Sequence, residues 1–219
     1  MSDFTIWTVP GSPFSRAVAA VLVEKGAPFK VVRLSPSETK APEHLARHPF
    51  GRMPAFRHGD FMLYETQAVL RYLERIMPKP ALTPADPKQA ARMDQVMGIN
   101  DWYLFQGVGA VIGFQRVIGP MLLGLTADEA AIAAAMPKAH VVFGELSRLL
   151  GDQPWLAGDT ISLADFTVVG IMDILSLTPE WKALTAGRSN LVQWLERMRE
   201  RPSIAQTTMQ AVSAMADAA

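Results

Sequence analysis

The chain has 219 residues, room for one large domain or two small ones, and its 49% hydrophobic and 19% charged content excludes a disordered or fibrous chain. Twenty-one Lys and Arg balance 21 Asp and Glu without a basic cluster, which argues against nucleic acid as a partner. There is no cysteine, so disulfides, thiolate metal sites and any mechanism that uses a protein thiol are excluded.

The start, MSDFTIWTVPGSPF, lacks a basic segment followed by an apolar one, and no apolar run approaches the roughly 18 to 20 residues of a membrane span. A soluble, cytoplasmic protein with no membrane partner is expected. Residues 4–9 are a β-branched and aromatic run bounded by Pro10-Gly11, which predicts a strand. Pro13 to Lys25 carries Phe14, Ala17, Val18, Val21 and Leu22 at helical spacing and closes on Gly26, a helix with a glycine C-terminal stop. Residues 29–34 form a second strand, completing a βαβ unit. A short helix begins at Pro42. Residues 55–57 and 61–63, separated by His58-Gly59-Asp60, read as a hairpin, and 66–77 as an amphipathic helix. The order βαβ then ββα predicts a four-stranded mixed sheet packed by helices.

Four prolines between Pro78 and Pro87 predict an extended, stiff linker, placed at residues 80–87 between domains 1–79 and 88–219. The charge divides at the same place. Residues 1–80 hold 11 basic and 7 acidic side chains, and residues 81–219 hold 10 and 14. Beyond the linker only helices are signalled: Asp86 to about Ile118, Ala127 to about Leu150, one starting at Ser162-Leu163-Ala164-Asp165, and Asn190 to Arg201. Ser162 and Asp165 form a capping box with Ile161 and Phe166 as its staple, a structural device. Glycines at 107, 109, 113 and 119 fall where the helix should continue, at roughly 1 kcal/mol each against alanine, which predicts a bend or close packing. Trp102, Tyr103, Phe105, Phe114, Met121 and Met172 are read mostly as core, and the alanine-rich tail after Ser203 as partly frayed.

Three short motifs carry possible chemistry. In Gly11-Ser12-Pro13-Phe14-Ser15-Arg16, Ser12 sits at the N-cap of the first helix with Pro13 at its first position. The same geometry can be a plain cap, or a hydroxyl facing an anion at a helix N-terminus. Ser15, one turn on, faces the helix interior or caps locally. In Phe50-Gly51-Arg52-Met53-Pro54-Ala55, a cis proline would turn the Met53 peptide outward to pair with a peptide-like ligand, although a trans turn is the commoner outcome. At Glu65-Thr66, Thr66 either caps the following helix or joins Glu65 in holding a carboxylate and an ammonium. His44, His48, His58 and His140 lack metal-ligand spacing.

Together these motifs resemble the cytosolic glutathione transferase family. The similar stretches are SPFSRAV, KAPEHLARHPFGRMPAF, DFMLYETQAVLRYLE, GLTADEAAI, WLAGDTISLADF and VQWLERMRERPSI, and they span most of the chain. The similarity is strongest to the phi-like, serine-using members. It implies an α/β thioredoxin-like N-terminal domain (βαβ–ββα) and an all-α C-terminal helical domain. The implied activity is conjugation of glutathione, a co-substrate rather than a cofactor, to a small apolar electrophile held against the helical domain. Ser12 then stabilises the thiolate. Lys40 and Thr39 meet the glycine carboxylate. Arg52 and Met53 flank cis Pro54, with the Met53 backbone on the cysteinyl unit, and Glu65 and Thr66 hold the γ-glutamyl end. Phe50 resembles the aromatic that inserts into the partner subunit in some classes of the family, and a homodimer is expected. Thr39 for histidine, His48 for asparagine, Arg52 for glutamine and Thr66 for serine depart from the pattern. A peroxidase, isomerase or dehalogenase using the same tripeptide, or a non-catalytic ligand-binding member, is left open by the sequence.

Overall fold

The β-branched and aromatic run forms strand β1 (Phe4–Thr8) in a computed structural model that describes residues 3–217. Helix α1 (Pro13–Glu24) follows, with Ser12 at its N-cap, Pro13 at its first position and Gly26 in the left-handed region at φ 66 just past its end. Strand β2 (Phe29–Arg33) pairs parallel to β1, so this first unit is a βαβ crossover. A 3₁₀ turn at Ser37–Lys40 and the short helix α2 (Pro42–Leu45) lead to β3 (Ala55–His58) and β4 (Phe61–Tyr64), then to helix α3 (Thr66–Ile76). β3 runs antiparallel to β1 and to β4, and the sheet order is β2-β1-β3-β4. Ile6, Val31 and Phe56 are buried on one face. The α3 residue Tyr72 meets Phe56 edge-on there and bonds His58 Nδ1 at 2.7 Å.

The chain divides into two units, Met1–Ala81 with Arg199–Ala219, and Leu82–Met198. The tail therefore belongs with the sheet, not with the helical domain where the sequence reading put it, and it is not frayed over its described length. Helices α10 (Pro202–Ala205) and α11 (Met209–Asp217) pack on α1 and β2 respectively. Glu24 at the end of α1 pairs with Arg201 and accepts from Ser203 Oγ at 2.6 Å, and Arg16 donates to the Ile204 carbonyl. The buried side chains of this segment are Ser203, Ile204, Thr207 and Val212, while Ala205 and Ala214 are exposed.

In the second unit, Asp86 accepts from the Lys88 and Gln89 amides and starts α4 (Pro87–Ile99). The single long helix expected there changes at Asn100 into a wider π-type helix through Ile118, followed by α5 (Gly119–Leu123). The glycines fit close packing. A Cβ on Gly109 would lie 2.9 Å from Ile171 Cγ2, and one on Gly113 would lie 3.1 Å from Ile174 Cγ2. Helices α6 (Glu129–Leu150) and α7 (Leu163–Leu175) pack on this segment. The remaining helices of the second unit are α8 (Trp181–Thr185) and α9 (Ser189–Arg199), whose last residue belongs to the first unit. The capping box forms as expected. Asp165 is fully buried and accepts from the Leu156 amide (2.9 Å), Trp194 Nε1 (2.8 Å), the Ser162 amide (2.9 Å) and Ser162 Oγ (3.1 Å). Burial pushes its pKa up, and these four donors oppose the shift. Trp102 and Tyr103 in the π-type segment and Met121 in α5, expected mostly in the core, are exposed, whereas Met172 is buried.

Candidate active site

The topology fixes which loops meet. β1 and β2 are parallel, so both end on the same edge of the sheet; β3 begins there and β4 ends there. Ser12 follows β1, Thr39 and Lys40 follow β2, Met53-Pro54 precede β3, and Glu65-Thr66 follow β4. All the residues singled out from the sequence therefore gather at one end of the sheet, within the first unit.

Direct contacts tie these loops together. The Val9 amide, just past β1, donates to Met53 Sδ at 2.9 Å, and the Ser12 amide donates to the Val9 carbonyl. The Met53–Pro54 peptide is cis, as the family resemblance implied and the commoner trans turn did not. Among the described residues no hydrogen bond takes the Met53 amide or carbonyl, so this peptide is an open edge for an extended ligand. Gly51, at φ 61, carries the close approach of two loops: a Cβ there would lie 2.7 Å from the Thr39 carbonyl and 2.9 Å from Lys40 Nζ. His44, buried and unremarked in the sequence except as a histidine without metal spacing, bonds the Arg52 carbonyl through Nε2 at 2.8 Å. A carbonyl only accepts, so Nε2 carries the proton. No local pattern signals that contact, since it joins α2 to the proline loop. His48 is also buried; burial, followed by the nearby His44 and Arg52 charges, lowers its pKa.

Ser12 caps α1 by accepting from the Ser15 amide at 3.2 Å, and Ser15 Oγ donates to the same Ser12 oxygen at 3.1 Å. Lys40 is exposed and its ammonium donates to the Phe50 carbonyl at 3.4 Å. Thr39 departs from its expected role. It is buried and its hydroxyl donates to the Pro36 carbonyl at 2.8 Å, which leaves no proton for a carboxylate. Thr66 departs from the capping reading: it is the first residue of α3, and Glu65 occupies the N-cap without a side-chain hydrogen bond to the first turn. Glu65 has φ 69 and ψ 114, the one positive φ outside glycine among the described residues. Its carboxylate is exposed, and its side chain makes no capping bond to the helix start it precedes. This sheet edge thus offers a hydroxyl at a helix N-terminus, an outward peptide, an ammonium, and a carboxylate at the start of a second helix. A short peptide with a nucleophilic centre and charged ends matches that set. No cluster of three or more metal-binding side chains occurs among the described residues, and none of their helices is long and apolar enough to cross a membrane.

Residues 2–75 match the family model "Glutathione S-transferase, N-terminal domain", and residues 82–202 match "Glutathione S-transferase, C-terminal domain". The chain is 34% identical over 186 residues to a probable glutathione S-transferase GSTF2 of Oryza sativa subsp. japonica, covering 84% of this chain and 86% of the relative. It is 31% identical over 188 residues to glutathione S-transferase 1 of Zea mays, covering 85% and 86%. Among solved structures, glutathione S-transferase-I bound with lactoylglutathione superposes with a TM-score of 0.82 at 29% identity, over 98% of this chain and all of that one. Poplar glutathione transferase F1 superposes with a TM-score of 0.82 at 27% identity over the full length of both.

Proposed function

Since this chain belongs to the glutathione S-transferase family, with phi-class relatives over most of its length, we propose that Ser12 is the residue that stabilises the glutathione thiolate. The observation that carries the assignment is the gathering of Ser12, the open Met53 peptide and Glu65-Thr66 at one edge of the sheet. In this reading the Met53 peptide pairs with the cysteinyl unit and points its thiol at Ser12. Glu65 takes the γ-glutamyl ammonium, and the Thr66 end of α3 takes the adjoining carboxylate. Lys40, with Arg52 from the facing loop, takes the glycine carboxylate; Thr39 contributes backbone only.

The chemical task is modest. A free thiol of pKa about 8.5 is only about 3% ionised at pH 7, so full ionisation gains at most roughly 30-fold. Lowering that pKa by about two units takes about 2.7 kcal/mol, within reach of one hydroxyl donor at a helix N-terminus. Further acceleration comes from holding an apolar electrophile beside the sulfur. Conjugation of a chromogenic aryl halide, followed across pH, tests the assignment. Ser12→Ala should raise the bound thiol's pKa by about one to two units and, starting from the two-unit lowering above, slow conjugation at neutral pH about three- to 25-fold. Full activity in Ser12→Ala would remove Ser12 from its role.

The same reading makes the protein a cytoplasmic detoxification enzyme and a homodimer. Phe50 supports the dimer: it is 64% exposed and stands edge-on to His48 and Tyr64, a ring held out for a second copy. Light scattering at micromolar concentration should give a dimer mass, and a monomer mass would refute this part.

A further inference from the structure

Ser15 is 2% exposed, and its hydroxyl makes one hydrogen bond among the described residues, to Ser12 Oγ at 3.1 Å. A hydroxyl has one proton, and a buried one must be satisfied within the protein. If Ser12 were the donor in this pair, the Ser15 proton would be buried without an acceptor. The favourable direction is therefore Ser15 donating to Ser12. The Ser15 amide donates to the same oxygen at 3.2 Å, so Ser12 Oγ receives two donors from one residue. With its acceptor capacity filled from the protein side, Ser12 has its own proton left to give, and gives it away from the helix. Donation into an oxygen also makes the proton on that oxygen a stronger donor.

We propose that Ser15 is a positioning residue for the thiolate: its buried hydroxyl fixes Ser12 as a donor and strengthens the hydrogen bond that Ser12 makes to sulfur. This rests on Ser12 being the thiolate partner. Ser15 touches neither glutathione nor electrophile in this scheme. Its loss leaves the Ser15 amide in place, so Ser12 stays a cap and loses only the second donor. The effect should accordingly be smaller than loss of Ser12 itself and should appear in the ionisation of the bound thiol, not in glutathione binding.

The test is a double-mutant cycle over Ser12→Ala and Ser15→Ala, read by the pH profile of aryl-halide conjugation and by thiolate absorbance of bound glutathione. Ser15→Ala should raise the bound thiol's pKa by about half a unit to one unit, lowering kcat/KM about three- to tenfold on the acid side of that pKa and about 1.5- to threefold at neutral pH, with the glutathione KM within about twofold of native. Ser15→Thr should restore the native profile, and Ser15→Val should behave as Ser15→Ala. In the Ser12→Ala background, Ser15→Ala should leave the profile where Ser12→Ala put it. A Ser15→Ala profile that superposes on the native one overturns the proposal, and so does an equal shift in the Ser12→Ala background, because the effect would then bypass Ser12. If alanine at 15 does not fold, the threonine and valine variants, which differ only in a hydroxyl, are read by the same rule. An unchanged profile in Ser12→Ala alone marks failure of the Ser12 assignment, distinct from failure of the Ser15 role.

Discussion

Replacing Glu65 by glycine should make the protein more stable and a weaker binder of glutathione. At φ 69 and ψ 114 a residue with a side chain is held in a sparsely populated region, at a cost of about 1–3 kcal/mol. The side chain is exposed and makes no capping bond, so removing it forfeits no buried contact. The backbone bond from the Val69 amide to the Glu65 carbonyl is unaffected. Glycine relaxes the strain but frees the unfolded chain, at roughly 0.5–1 kcal/mol. The net gain is about 1 kcal/mol, a rise of roughly 0.3–0.5 M in the urea midpoint. Glu65→Ala keeps the strain and should leave the midpoint within about 0.1 M of native. Both variants lose the carboxylate proposed to meet the γ-glutamyl ammonium, worth about 1.5–3 kcal/mol, so both should bind glutathione roughly ten- to a hundredfold more weakly by calorimetry. A less stable Glu65→Gly would refute the strain argument, and native affinity in either variant would refute the ammonium contact.

Three further outcomes are expected. Because sulfur must attack sulfur and the chain has no cysteine, the protein should not reduce a glutathione mixed disulfide appreciably, whereas Ser12→Cys should gain that activity; robust reduction by the native protein would contradict this. Asp165→Asn turns an amide N–H toward donors that now meet carboxylate oxygens, and should destabilise by about 3–5 kcal/mol in chemical denaturation; a loss under about 1 kcal/mol would mean that the four bonds are not jointly maintained. The lowered His48 pKa means that the unfolded chain binds that proton more tightly than the folded one, so this residue's stabilising contribution is complete above pH about 6.5 and is lost as pH falls. Unfolding free energies measured from pH 7.5 down to about 5 should decline less steeply in His48→Asn, and parallel curves would rule out His48 as a source of the acid loss.

Composition and periodicity exposed the sheet and its helices because each signal is local: a β-branched and aromatic run in β1, helical spacing in α1 and α3, glycine and proline at the ends. The tail escaped because what holds it is not local. The Glu24–Arg201 pair joins residues 177 positions apart, and an alanine-rich segment carries no local sign of such a partner. The change from α4 into a π-type helix was visible only as misplaced glycines. At the site, Ser12 was legible as a cap, but the direction of its hydrogen bonds depends on how deeply Ser15 is buried, and one-dimensional spacing does not report depth. The His44 hold on the Arg52 carbonyl and the turning of the Thr39 hydroxyl onto Pro36 are likewise set by how two loops meet at Gly51.

The groups proposed to meet the ligand are those that the fold itself leaves unsatisfied. A helix start leaves amides without partners, which is why α3 can receive a carboxylate. The peptide before β3 makes no ladder bond, because pairing with β1 begins at Ala55. Ser12 is held by its own helix through its acceptor sites and so retains a donor. Structural and functional accounts of these residues therefore do not compete: the cap, the turn and the helix start each satisfy one side of a polar group and present the other. The exception is Glu65, where the backbone is strained and no structural need for a charged side chain is met. A residue whose backbone costs stability and whose side chain caps nothing among the described residues is best explained by what it binds.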